Sequence, residues 1–278
     1  MAILSMDEFE NLSGFVYRKT GIRFESKKMY FISKRVQKRM DFLEIEAVAE
    51  YIRFLRFSDP TAAEFQNLVD LLTINETYFF RDFPQLQAFG DHCLHEVVKK
   101  KEACGNQKLR IWSAPCSTGE EPYTLGIILH AMLDNVRSWD IEILASDIDR
   151  NVLSTARTGQ YARRSLRDVP PEYLEAYFTH PSNGTYQISE RINKLIRFEH
   201  LNLSSKEAVR ARTGFDFIFC RNLLIYFDDV SRKQLVDHFY MALNPGGFLF
   251  LGSSESVSRI SSAYRMKRAG AHLVYYKQ

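Results

Sequence analysis

From residue 109 onward, short apolar runs alternate with helical stretches, and this alternation limits the possible folds more than any other feature. Leu109–Ala114 precedes a helix running to Leu133, and Ile141–Ala145 precedes one running to Arg157. Phe215–Cys220 leads to a helix over Ser231–Leu243, the turn Asn244-Pro245-Gly246-Gly247 and a further apolar run at Phe248–Leu251. Strands apolar on both faces need helices above and below, so a parallel, doubly wound α/β sheet is expected. Ala263–Arg268 and His272–Lys277, separated only by Ala269-Gly270-Ala271, read as a closing hairpin. Between Gly159 and Leu203 the alternation breaks. Tyr186–Ile188 and Leu195–Phe198 are short strand candidates near Pro170-Pro171 and the turn-like Pro181-Ser182-Asn183-Gly184, which suggests a small antiparallel β-insertion at about 160–200.

The first part of the chain carries only helical periodicity. Ser5 with Glu8 forms a capping box, and Phe9, Leu12 and Val16 recur at helical spacing until Gly21. A second helix carries Met29, Ile32, Val36, Met40 and Leu43 in one stripe. A third spans about Ala47–Phe57, and a fourth starts near Ser58-Asp59-Pro60 and carries Phe65, Leu68, Val69 and Leu72. The expected organisation is a helical domain over 1–85, a linker over 86–108 and the sheet domain over 109–278.

Composition excludes several classes. A net charge of +3 is too small to imply nucleic acid, and Cys93, Cys104, Cys116 and Cys220 contain no CxxC pair. Reduced thiols are therefore expected, with neither a disulfide framework nor a zinc site. No signal-peptide pattern opens the sequence, and no apolar run approaches the roughly 20 residues of a membrane span. A soluble, cytoplasmic protein with no bound metal is expected.

In doubly wound sheets ligands bind beyond the carboxyl ends of the strands. After the first strand comes Ser113-Ala114-Pro115-Cys116-Ser117-Thr118-Gly119-Glu120-Glu121-Pro122-Tyr123, which has one glycine and no GxGxxG. Two carboxylates at a helix start repel a pyrophosphate but tolerate a cationic sulfonium ligand bearing an ammonium group. A parallel sheet ending in a hairpin likewise favours a methyltransferase over a dinucleotide dehydrogenase. Asp147 ends the second strand, where a carboxylate can accept ribose hydroxyls, whereas Asp149 suits a helix cap. Asn202 and Leu203 follow a third strand candidate, and Arg221-Asn222 follow a strongly apolar one.

Five motifs in series then resemble one family. Asn75-Glu76-Thr77-Tyr78-Phe79-Phe80-Arg81, Ser117–Tyr123, Ala145–Asp149, Phe219-Cys220-Arg221-Asn222 with Ile225-Tyr226-Phe227, and Pro245-Gly246-Gly247 look like the CheR chemotaxis receptor methyltransferases. The resemblance implies a helical N-terminal domain, a Rossmann-like domain with a β-subdomain, and S-adenosylmethionine as donor, leaving S-adenosylhomocysteine. It further implies that Asn75, Thr77 and Arg81 close over the donor, Glu121 meets its amino-acid portion, and Asp147 its ribose. Asn202 and Leu203 would lie by the adenine, with Arg221 and Asn222 by the reacting end. Tyr226 and Arg81 are the candidates for orienting the acceptor. Without the family, Tyr78-Phe79-Phe80 reads as a hydrophobic hinge.

An acceptor glutamate, with a reference pKa near 4.3, is already ionised at neutral pH, so no general base is required. This agrees with the absence of a Ser-His-Asp or Cys-His set. Lys27, Lys28, Lys34, Arg35, Lys38 and Arg39 have no acid between them on the second helix and are expected to form one exposed cationic face. Lys34, Arg35, Lys38 and Arg39 are the candidate substrate-binding residues. The implied partner is the acidic cytoplasmic helices of methyl-accepting chemotaxis receptors, rather than nucleic acid or a membrane. The Thr179–Thr185 loop is short and has one glycine, so the receptor-tail pentapeptide used as a tether by some members is not expected to be required. A methyltransferase with a different acceptor, a non-catalytic S-adenosylmethionine-binding module and an NAD-dependent oxidoreductase are the competing readings.

Overall fold

The computed structural model describes residues 4–180 and 184–278. The chain divides into two compact units: residues up to Ile74 together with Ile225–Ser231, and Asn75–Leu224 together with Arg232–Gln278.

The first unit is helical: α1 (Met6–Thr20), α2 (Met29–Leu43), α3 (Val48–Phe57) and α4 (Ala63–Leu72). The capping box is present, with Ser5 Oγ accepting from the Glu8 N–H and Glu8 accepting from the Ser5 N–H at 2.8 Å. Gly21 ends α1 in the left-handed region at φ 72°. Phe9, Leu12 and Val16 of α1 pack with Ile32, Val36 and Met40 of α2, Leu55 of α3 and Leu68 of α4. The fourth helix begins at Ala63 rather than at Pro60, with Asp59 accepting from the Phe65 N–H at 2.8 Å.

The second unit opens with α5 (Phe83–Ala88), a π-helical turn (Phe89–Leu94) and α6 (His95–Ala103). Phe89 sits edge-on to Phe217, Phe219 and Phe250 at 5.0, 5.2 and 5.8 Å. Leu86, Phe89, Cys93, Leu94 and Val97 all lie in the core of this unit, so most of the expected linker's apolar side chains are core.

The chain then runs through β1 (Lys108–Ser113), α7 (Glu120–Met132), β2 (Asp140–Asp147), α8 (Arg150–Thr158) and β3 (Gln160–Tyr161). There follow α9 (Pro171–Tyr177), β4 (Phe178–Thr179), β5 (Tyr186–Ile188), α10 (Glu190–Asn193) and β6 (Ile196–His200). The unit ends with α11 (Lys206–Arg210), β7 (Phe215–Cys220), α12 (Asp229–Ala242), β8 (Leu243–Leu251), β9 (Arg265–Ala269) and β10 (His272–Tyr276).

Seven strands form the main sheet in the order β6-β2-β1-β7-β8-β10-β9. β6, β2, β1, β7 and β8 are mutually parallel, while β10 pairs antiparallel with both β8 and β9. The doubly wound sheet with a closing hairpin is thus the observed fold. A second, antiparallel sheet, β3-β5-β4, is the β-insertion. Two details differ from the sequence reading. Ile196–His200, counted with the insertion, is the edge strand of the main sheet and pairs with β2 from Ile143↔Ile196 to Asp147↔His200. The Asn244–Gly247 turn is absorbed into a bulged start of β8, where the register passes from Phe215↔Leu243 to Phe217↔Phe248. Gly247 is required there, since an added Cβ would lie 2.9 Å from the Asn244 carbonyl and 3.0 Å from that of Asp216. The turn reading at Pro181-Ser182-Asn183 and the core of the Thr179–Thr185 loop lie outside the described residues.

Candidate functional site

The switch in strand order falls at β1, with β2 on one side and β7 on the other, so the loops after these strands define one pocket edge. Asp147, the last residue of β2, is 4% exposed. Its Oδ2 accepts from the Ser117 N–H at 2.8 Å and its Oδ1 from the Asp149 N–H at 3.0 Å. Burial above all pushes this carboxyl up to about 6, against the lowering pull of the Asp149 and Ser117 N–H groups and with a further push from the nearby Asp149 carboxylate. No cation pairs with it among the described residues. Asp149 does cap α8, accepting from the N–H groups of Asn151 and Val152 at 2.8 and 3.3 Å.

Asn75 is brought to this edge by two bonds. Its Nδ2 donates to Asp149 Oδ2 at 2.8 Å, and its carbonyl accepts from Ser117 Oγ at 3.0 Å. The residues that follow are anchors. Phe79 packs edge-on to Tyr161 and Phe178 at 4.8 and 5.1 Å, and Phe80 stacks on Tyr173 at 5.6 Å. The Phe79 N–H donates to the Ser165 carbonyl at 3.0 Å and the Phe80 N–H to Thr124 Oγ1 at 3.2 Å. The hinge reading of Tyr78-Phe79-Phe80 is therefore corrected, because two fully buried rings pin the segment. Thr77 is half-buried, and Arg81 donates to the Glu76 carbonyl at 2.8 Å.

The two acids of the β1–α7 loop part company. Glu120 is buried, its Oε2 accepts from Thr118 Oγ1 at 2.6 Å, and burial raises its carboxyl. Glu121 accepts from Ser113 Oγ at 2.7 Å and from Arg221 Nη1 at 3.0 Å. Arg221, whose side chain is 4% exposed, also donates from Nη2 to Asp82 Oδ2 at 2.5 Å and to the Arg81 carbonyl at 3.0 Å. One guanidinium thus ties the end of β7 to the start of α7 and to the segment before α5. Its Nε is buried without an acceptor among the described residues. Asn222 adopts φ 59°, and its N–H donates to Glu255 Oε2 at 2.8 Å. The Gly252 N–H shares that oxygen at 2.9 Å. The Leu201 N–H donates to the Asp147 carbonyl at 2.8 Å, which sets Asn202 and the buried Leu203 just beyond β2; Asn202 Oδ1 accepts from the Ser204 N–H at 3.0 Å.

The sequence reading gave Ser117 no role of its own and missed Asp82 and Glu255. Ser117 and Glu255 follow strand ends and could have been found by the rule that pointed to Asp147, whereas Asp82 follows no strand. Tyr226 lies in the Ile225–Ser231 segment that belongs to the helical unit, where its carbonyl accepts from the Arg23 N–H at 2.9 Å.

On α2 the expected single cationic face is narrower than the wheel suggests. Arg39 lies half-buried against Glu64, with Nε at 2.9 Å from Oε1 and Nη2 at 2.6 Å from Oε2. Arg35 stacks on the Phe31 ring at 3.4 Å and donates to the Leu71 carbonyl at 3.3 Å. Both side chains turn inward because carbonyl or carboxylate acceptors wait on α4. Lys27 pairs with Glu25 at 2.5 Å. What remains outward is a stripe at i, i+4 spacing: Tyr30, Lys34, Lys38 and Phe42, with Tyr30 56% and Phe42 72% exposed. Lys34 Nζ sits 4.5 Å from the Tyr30 ring centroid.

Among the described residues no cluster of His, Cys, Asp and Glu suits a metal, and no helix is long and apolar enough to cross a membrane. A parallel sheet closed by an antiparallel hairpin is the arrangement of a methyltransferase domain. The chain belongs to the CheR methyltransferase family. The model for "CheR methyltransferase, SAM binding domain" matches residues 75–271, and that for "CheR methyltransferase, all-alpha domain" matches residues 7–73. Chemotaxis protein methyltransferase 2 of Vibrio cholerae is 42% identical over 99% of this chain and 94% of its own length. Chemotaxis protein methyltransferase 1 of Pseudomonas aeruginosa is 32% identical over 96% and 97%. Chemotaxis protein methyltransferase of Klebsiella aerogenes is 34% identical over 95% of this chain and 88% of its own length. The chain is an S-adenosylmethionine-dependent methyltransferase.

Proposed function

We propose that this chain transfers the methyl group of S-adenosylmethionine to glutamate side chains on the acidic cytoplasmic helices of chemotaxis receptors, acting in the cytoplasm. The observation that carries this reading is similarity along nearly the whole chain, through both units, to chemotaxis protein methyltransferases. The donor set suits the cofactor. Asp147 is a buried carboxyl with backbone donors and no cation among the described residues, which can accept ribose hydroxyls. Glu121 keeps acceptor capacity for an ammonium group while Ser113 and Arg221 fix its orientation. Asn202 and Leu203 would flank the adenine, and Asn75, Thr77 and Arg81 would cover the donor from one side. Arg221 serves as the tie that fixes Glu121, and Asn222 supports the reacting end.

When bound, S-adenosylmethionine supplies an electrophilic methyl group on a cationic sulfur. The protein's own task is alignment and exclusion of water, since an ionised carboxylate attacks without a base. Alignment of this kind lowers a barrier by about 7–11 kcal/mol. Tyr226 and Arg81 would orient the acceptor carboxylate. Lys34 and Lys38 would meet the receptor's acidic face, with Tyr30 and Phe42 adding apolar contact at either end of the stripe; Arg35 and Arg39 shape that surface from within. No receptor-tail tether is needed, so a free receptor C-terminal pentapeptide should show no measurable binding.

The test is transfer of radiolabelled methyl groups into receptor-containing membranes, followed by alkali. Release of the label as methanol is expected, because carboxyl methyl esters hydrolyse in base. An alkali-stable label would overturn the glutamate assignment.

A further inference from the structure

The segment that carries Tyr226 is held by the helical unit through bonds that recognition of a substrate would not require. Tyr17, on α1, donates its hydroxyl to Asp228 Oδ2 at 2.5 Å. Asp228 Oδ1 accepts from the Ser231 N–H at 2.8 Å, fixing the start of α12. The Arg23 N–H donates to the Tyr226 carbonyl at 2.9 Å, and Phe227 between them is 4% exposed. Three consecutive residues are therefore fastened: one by its carbonyl, one by burial and one by both oxygens of its carboxylate. A hydrogen bond to a charged carboxylate, between side chains 211 residues apart, is a long-range constraint that fixes the backbone beside Tyr226.

From this geometry we infer that Tyr17 and Asp228 are positioning residues for methyl transfer, holding the backbone that carries Tyr226. The inference rests on Tyr226 orienting the acceptor. It predicts a particular kinetic pattern. Tyr17→Phe removes one hydroxyl and leaves the ring in place; losing its charge-assisted bond should lower kcat roughly tenfold. The receptor KM and the S-adenosylhomocysteine Kd should stay within about twofold, because neither the outer stripe of α2 nor the carboxyl edge of the sheet is altered.

The experiment measures kcat, receptor KM and S-adenosylhomocysteine binding for the full chain and for Tyr17→Phe, Asp228→Asn and Tyr226→Phe. A 3-fluorotyrosine at position 226 gives a 19F resonance for the unaltered protein and for folded Tyr17→Phe and Asp228→Asn. A loss of kcat in Tyr17→Phe and Asp228→Asn, with a shifted resonance and unchanged Kd, supports the proposal. Wild-type kcat and an unmoved resonance in both variants, alongside a damaged Tyr226→Phe, overturn it. Should Tyr226→Phe itself turn over normally, the proposal falls because the role given to Tyr226 is wrong. Should the unaltered protein label no receptor at all, the reading of the acceptor fails, and an unmoved resonance in Tyr17→Phe and Asp228→Asn separately overturns the positioning role.

Discussion

Each unit buries a carboxylate, and the two are treated in opposite ways. Glu64, in the helical unit, meets the Arg39 guanidinium through both oxygens, with the Tyr51 hydroxyl at 2.8 Å and Asn67 Nδ2 at 3.3 Å. Asp147, in the sheet unit, is equally buried but has backbone N–H donors and no cation among the described residues, and its carboxyl is pushed up to about 6. A structural acid is saturated by its own fold. An acid kept short of positive charge stores an unmet preference for donors, which a ligand with hydroxyls can satisfy.

The contrast breaks most sharply at Arg39. Arg39→Met strands Glu64 among neutral partners, and removing one member of a buried pair costs about 3–5 kcal/mol. Denaturant unfolding should show that loss in the transition of the helical unit, and a change below about 1 kcal/mol would refute the structural reading of Glu64. The second effect is one of pH. Burial pushes the Asp147 carboxyl up to about 6 from an ordinary 3.8, so between those values the folded state holds the extra proton. Its contribution to stability is therefore greatest at low pH and declines as pH rises through 6, by roughly 2–4 kcal/mol in all. Stability curves of the wild type and Asp147→Asn from pH 4 to 8 should differ in slope in that window and run parallel above it.

Ligand affinity should move the other way. If the ionised carboxyl accepts the ribose hydroxyls, S-adenosylhomocysteine should bind about tenfold more tightly at pH 7 than at pH 5. Asp147→Asn should weaken binding about 10- to 100-fold at neutral pH without unfolding the protein. Calorimetry reads both; undiminished affinity in the variant would remove Asp147 from the cofactor site. The smallest effect belongs to the surface. Lys34→Glu and Lys38→Glu should each raise the receptor KM about 3- to 10-fold at low salt, leave kcat alone, and converge on the wild type as salt is added.

Much of this was legible in the chain because the deciding signals are local. The Ser5–Glu8 box, the cap at Asp149 and the hairpin around Gly270 each depend on residues a few positions apart. The carboxyl-edge rule reached Asp147, Arg221 and Asn222 because strand ends can be read from apolar runs. What escaped depends on distant partners. Arg39 turns inward for Glu64, 25 residues on, and a helical wheel contains no such information. Phe79 and Phe80 are anchored by Tyr161, Phe178 and Tyr173, which are brought near only by the fold. Ile196–His200 joins the main sheet because β2 offers it a parallel edge, a choice that short apolar runs leave open.

The family's helical and catalytic modules meet at residues 73 and 75, which invites domain shuffling between relatives. The chain does not divide so simply, since Ile225–Ser231 belongs to the helical unit while lying far downstream. A chimera exchanging only the first 74 residues would inherit an α1 whose tyrosine expects an aspartate that the recipient must supply at position 228. Transplanting the helical unit therefore requires that both pieces of chain travel together.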